Sequence, residues 1–113
     1  MSRDIYKRAD RVTIEDLGDG VTRQILGYGA DLMTCRLTFA AGTVGAVHSH
    51  PHSQTSYCES GRFRYRVDDR DEEIGPGDCV YIAPHRQHGL VCLEAGVIID
   101  SFSPLRADFL GEA

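Results

Sequence analysis

GTVGAVHSHPHSQTSYCESG, residues 42–61, is the stretch on which the fold turns, because it joins a strand pattern to a run of metal-binding side chains. Side-chain direction along a strand repeats every second residue, so Val44, Ala46, His48 and His50 are expected on one side, with two imidazoles pointing the same way. Pro51 has no N–H to give a ladder, so the strand should end there and His52 and Ser53 should turn. Gln54 then opens a fresh strand through Tyr57. All five histidines fall between residues 48 and 88, and the segments before and after contain none. Imidazole nitrogen suits Zn, Ni, Cu and Fe, and a His-x-His pair on a strand aims two such donors at one point.

Outward from this stretch the chain keeps the period of strands. Met33, Cys35, Leu37 and Phe39 alternate with Thr34, Arg36 and Thr38 from Asp31 to Phe39, as a half-buried strand would. After Gly61, Arg62, Arg64 and Arg66 point outward and Phe63, Tyr65 and Val67 inward, followed by a charged turn from Asp68 to Glu73. Gly75-Pro76-Gly77-Asp78 reads as a turn, Cys79 to Ile82 as a buried strand, Ala83 to Gln87 as a loop returning through His88, and Gly96 to Phe102 as the last strand. Toward the N-terminus, Val12, Ile14, Val21 and Ile25 alternate weakly around Gly18, Asp19 and Gly20, which predicts a hairpin or arm. Pro104 to Leu110 is expected to form one short helical turn, with Pro104 at its start and Gly111 after it. Many short strands with Gly or Asp at their joints predict a closed or two-sheet all-β domain. The expected organisation is one domain over 1–113, with an N-terminal arm and hairpin over 1–30, a barrel over 31–103 and a tail over 104–113.

A chain of 113 residues has room for one hydrophobic core. Its net charge of -5, with no long run of Lys and Arg, argues against nucleic acid as a partner. The first residues hold no apolar leader and no later stretch reaches the roughly 20 apolar residues of a membrane span, so a cytoplasmic location and no membrane contact are expected. Cys35, Cys58, Cys79 and Cys92 form no C-x-x-C pair, and free thiols are the expectation.

Gly42, His48, His50, Gln54 and Gly61 resemble the first signature motif of the cupin family, and Gly77-Asp78, Pro84 and His88 resemble the second. Two positions depart from the pattern: Gln54 stands where the family usually has Glu, and no Asn follows His88. The resemblance implies a double-stranded β-helix, the jelly-roll barrel of that family. It also implies that His48, His50, Gln54 and His88 hold one divalent transition metal ion, Zn, Ni, Fe or Mn, in the barrel mouth. Three imidazoles and an amide are all neutral, so the ion's double charge would stay uncompensated, which favours an anionic substrate. His52 and His85, each beside a proline in a loop, are expected to line the entrance or face solvent, and Glu59 lies a strand length away from His50.

The last strand places Asp100 and Phe102 on one face and Val97 and Ile99 on the other. A carboxylate in an apolar strand costs several kcal/mol unless it is paired or put to use, and a raised pKa would suit it to proton transfer. Arg106 is a natural anion clamp. The plainer alternative is a structural ion pair between Asp100 and Arg106, with Phe102 as filling. Asp100-Ser-Phe102-Ser-Pro104-Leu-Arg106-Ala-Asp108-Phe109-Leu110, with His48-Ser-His50-Pro-His52-Ser-Gln54, is similar to the pectin-degradation cupins of the KdgF type. That similarity implies Asp100, Phe102 and Arg106 as catalytic residues, a small anionic sugar as substrate, and ring opening of 4,5-unsaturated monouronates to the linear 5-keto-4-deoxyuronate. An iron-dependent cupin dioxygenase and a non-catalytic metal- or sugar-binding cupin remain as alternatives, since fold alone does not choose among them. A homodimer is expected, with the sparse apolar residues of Ile5 to Ile25 as its contact.

Overall fold

The structure, a computed structural model, describes residues 5–111; residues 1–4 and 112–113 of the expected domain lie outside them. Among the described residues are eight strands: β1 (Glu15–Gly18), β2 (Val21–Gly29), β3 (Leu32–Phe39), β4 (Val44–His48), β5 (Ser53–Val67), β6 (Arg70–Ile74), β7 (Cys79–Ile82) and β8 (His88–Ser103). A 3-10 turn, Ala107–Leu110, follows. The strands run in the order β1-β2-β3-β8-β5-β6, with β4 also on β8 and β7 also on β5, all antiparallel.

Two long strands carry the architecture. β5 and β8 pair from Ser53↔Ser103 to Val67↔His88, and each changes its outer neighbour halfway. Beside β8 lie β3 at Gly96–Phe102 and β4 at His88–Val91. Beside β5 lie β7 at Gln54–Tyr57 and β6 at Phe63–Val67. The result is a sheet folded over on itself in two layers, the jelly-roll-like double-stranded β-helix that was expected. Inward alternation on β5 buries Gln54, Ser56, Cys58, Phe63 and Tyr65 and leaves Arg62, Arg64 and Arg66 outside. Phe39, Cys58, Phe63, Ile74, Ile82, Cys92 and Ile98 fill the space between the layers, while Met33, Cys35 and Phe102 form a second cluster under Leu105, Phe109 and Leu110. Burying a side chain such as Phe63 contributes about 2–3 kcal/mol.

Several boundaries differ from the sequence reading. Gly61 does not begin a strand but bends one: its φ is +82°, and the β5–β8 register slips three times between Cys58 and Phe63. A bulge of this kind turns a strand without ending it. β4 stops at His48, so His50 sits in the loop that Pro51 continues, not on the strand. The turn after Val67 is only Asp68-Asp69, because Arg70 to Ile74 pair back on β5. β7 is half exposed, with Cys79 and Tyr81 outside and Ile82 buried, since its outer face meets no further layer. The N-terminal hairpin closes through Asp19 and Gly20, both at positive φ, and β2 is a full sheet member paired along β3. The terminal turn starts at Ala107, with Arg106 as its cap.

Candidate metal centre and active site

His48 and His88 face each other as register partners at the ends of β4 and β8. Their ring centroids are 4.4 Å apart, and those of His50 lie 5.7 Å from His48 and 4.9 Å from His88. One ring nitrogen from each of the three falls within 4.8 Å of the others. Gln54 enters from the first residues of β5, with Oε1 2.8 Å from His50 Nε2. An amide oxygen only accepts, so His50 Nε2 donates to Gln54 here and would give up that proton to share an ion with it.

Two of the rings are already set for coordination. His48 Nδ1 lies 2.9 Å from the Ala46 carbonyl and His88 Nδ1 3.0 Å from the Arg86 carbonyl. A backbone acceptor of this sort takes the Nδ1 proton and leaves the Nε2 lone pair for a metal. His88 Nε2 is buried with no hydrogen-bond partner, and so is His50 Nδ1. An unpaired buried nitrogen costs about 1–3 kcal/mol, which a bound ion would offset at His88. Burial, followed by the neighbouring histidines, pushes His88 down to about 4. His50 is also lowered, first by burial. Both rings are therefore neutral near pH 7, the state that binds metal.

A cavity of about 330 Å³ adjoins the cluster, lined by His48, Gln54, His88, Asp100, Phe102 and Arg106, with Tyr65, Arg23 and Phe109. All three residues expected to act with the ion thus line one cavity. Asp100 is raised to about 6, chiefly by burial and against hydrogen bonds from Ser56 and Gln54. Arg106 does not pair with Asp100. Its Nε and Nη2 donate to Asp108 at 3.0 and 2.9 Å, and its guanidinium lies over Phe102 and Phe109 at 5.1 and 4.1 Å. The alternative of a structural Asp100–Arg106 pair is corrected accordingly: the turn that begins after Arg106 brings Asp108 nearer.

Ser56, which sequence reasoning passed over, ties the ligand set to the acid. Gln54 Nε2 donates to Ser56 Oγ at 3.0 Å, and Ser56 donates to Asp100 Oδ1 at 2.5 Å. The Tyr65 hydroxyl lies 2.8 Å from Ser56 Oγ and must donate, because the single serine proton is already given to Asp100. A reason for Gln in place of Glu follows: with Oε1 turned to His50, only an amide has a donor left for Ser56. The period of β5 puts Gln54 and Ser56 on one face, but nothing in the sequence shows that Asp100 stands opposite Ser56.

The other candidates fall outside the cluster. His52 Nε2 is 3.2 Å from the Leu105 carbonyl and its ring is 5.3 Å from that of His50, so it packs beside the site. His85 is exposed at positive φ, and its amide N–H donates to the His50 carbonyl, holding the loop. Glu59 pairs with Arg36 on the outer surface. Cys35 stands opposite Asp100 on β3, and burial with that acid pushes its thiol up to about 12, far from a thiolate ligand.

The model of the cupin domain matches residues 35–100. The chain is 40% identical over 103 residues to the pectin degradation protein KdgF of Dickeya dadantii strain 3937, across 89% of this chain and 94% of that protein. Among solved structures, an RmlC-like cupin from Shewanella frigidimarina superimposes with a TM-score of 0.92 at 40% identity, over 95% of this chain and 96% of that one. KdgF from Halomonas sp. superimposes with a TM-score of 0.89 at 33% identity, over 92% and 98%.

Proposed function

The chain belongs to the cupin family and, within it, to the KdgF-type proteins, and from that premise we propose that it is a metal-dependent enzyme opening 4,5-unsaturated monouronates to the linear 5-keto-4-deoxyuronate. The observation that carries the reading is Asp100, a carboxyl raised to about 6, in the wall of the cavity that the three-histidine cluster borders. Such a group exchanges protons near neutral pH. His48, His50, Gln54 and His88 would hold the ion, which when bound supplies Lewis-acid polarisation of the sugar oxygens.

The reaction is redox-neutral. The bond between the anomeric carbon and the ring oxygen breaks, the anomeric hydroxyl loses its proton and becomes the aldehyde. The ring-oxygen electrons form the C5 carbonyl, and C4 takes up a proton. Asp100 carries the proton, fixed in place by the Ser56 hydroxyl. Arg106 receives the carboxylate beside Phe102, whose buried ring shapes the pocket and keeps water from it. All four cysteines are free, in keeping with a reducing cytoplasm. A homodimer through the segment Ile5 to Ile25 is proposed with it, for which light scattering should return twice the chain mass.

The test is purified protein mixed with unsaturated galacturonate. Protonation of C4 removes the double bond conjugated to the carboxylate, so ultraviolet absorbance should fall faster than without protein, stop with a chelator and resume with added metal. An unchanged trace in every condition rejects the reading, and oxygen uptake coupled to the decay would point to the dioxygenase instead.

A further inference from the structure

Two guanidiniums line the cavity, those of Arg106 and Arg23. Arg23 reaches it from β2, where it stands opposite Glu15 of β1. Its Nε and Nη2 donate to Glu15 at 2.9 and 3.4 Å. Its guanidinium carbon is 4.0 Å from the centre of the Phe109 ring, and that of Arg106 is 4.1 Å from the same ring. Their side chains are only 13% and 12% exposed. Each is bound by an acid through the same pair of nitrogens, leaving Nη1 of each outside that bond.

Two largely buried cations on one ring repel each other, and their acids answer only in part, since Glu15 and Asp108 are themselves 34% and 60% exposed. A brace for the hairpin would need the Glu15 bond alone; it would not need a guanidinium on Phe109 or in the cavity wall. An anion between them would complete the arrangement. With both carbons about 4 Å from one ring centre they lie about 8 Å apart at most. At that limit the ring lies between them; with both guanidiniums tilted towards one ring edge, a single carboxylate there reaches both, each oxygen about 2.8 Å from a donor.

We propose that Arg23 is a second anion anchor, taking one oxygen of the sugar carboxylate while Arg106 takes the other across the edge of Phe109. The assignment rests on the reading that the cavity receives a uronate. Two anchors hold the carboxylate by both oxygens and add affinity in the substrate and transition state alike. Arg23 acts on binding, so its loss raises KM with little change in kcat.

The experiment compares Arg23→Met, which keeps an apolar stem on Phe109 but has no charge, with Arg23→Lys and Glu15→Gln, all metal-loaded. KM for unsaturated galacturonate should rise about tenfold or more in Arg23→Met, with kcat within about threefold and metal content unchanged, and Lys should recover part of the loss. Glu15→Gln removes the brace and keeps the cation, so Tm should fall with KM within about twofold. A KM within twofold in Arg23→Met overturns the proposal, as does a Glu15→Gln rise as large as that of Arg23→Met. Should Arg23→Met fail to fold, Arg23→Lys decides: a KM raised at least threefold supports the anchor and an unchanged one refutes it. Calorimetry with saturated galacturonate against galactose separates this from turnover. If wild type prefers galacturonate and Arg23→Met weakens that preference, the anchor stands even where no ring is opened, and only the ring-opening reading fails; a wild type without preference, or a preference unchanged in Arg23→Met, removes the anchor.

Discussion

Ser56 has one proton and three neighbours, Gln54, Tyr65 and Asp100, and its bonds decide which way each of them must point. Ser56→Ala leaves three buried polar groups short of a partner and should cost about 1–3 kcal/mol in denaturant unfolding. Gln54→Glu tests the same network by charge. A carboxylate would accept where the amide donates, so one serine proton would serve two acids, while the ion would gain a negative ligand. Zinc affinity should rise by calorimetry and turnover should fall at least tenfold; wild-type turnover would remove the role given to the amide. Asp100→Ala should lower kcat by about a hundredfold or more with metal content unchanged, and metal loss in that variant would make Asp100 a support for the ligands instead. At this scale the histidines were legible because spacing and clustering are properties of the sequence. Ser56 and Arg23 were not, because Ser56 against Asp100 and Arg23 against Phe109 meet through cross-strand register and the return of the C-terminal turn.

Gly61 and Gly96 meet where both long strands pass from one layer to the other. A Cβ on Gly61 would come within 2.6 Å of the Glu94 carbonyl and 2.7 Å of that of Ala95, and one on Gly96 within 2.1 Å of the Ser60 carbonyl. The approach is backbone to backbone, so no side chain can yield. Gly61→Ala should therefore destabilise by about 3 kcal/mol or more, or prevent soluble expression. Gly77→Ala is the comparison: φ is +93° there but open space surrounds the position, so only the conformational cost of about 1–2 kcal/mol applies. Equal losses of stability in the two variants would refute the corner. The sequence marks Gly61 as a break in alternation, and a break reads as a strand end. That β5 and β8 run through it follows from their pairing with each other, which no local pattern shows.

Across the molecule, the all-β class was readable from the inward and outward alternation of β3 and β5 and from the Gly and Asp at the strand joints, and the double-stranded β-helix came from resemblance. Folding a sheet on itself draws the ends of β4, β5 and β8 together, and ionisation there couples to stability. In metal-free protein His88 is held at about 4, while the unfolded chain takes its proton near 6.5. Between those values the unfolded state binds the extra proton, so this contribution is complete above 6.5 and is lost as pH falls toward 4. Asp100, raised from 3.8 to about 6, runs the opposite way, because there the folded state holds the proton and stability drops as pH rises through that window. Asp100→Asn removes the opposition, and Tm of its metal-free form should fall steadily from pH 7 to 5; a flat profile would contradict neutral buried histidines. The most direct measurement is anomalous diffraction from crystals grown with zinc or nickel. One peak is expected, ligated by His48, His50, Gln54 and His88 beside the cavity that Asp100 lines; a peak elsewhere, or Gln54 turned away from a bound ion, would contradict the four-residue site.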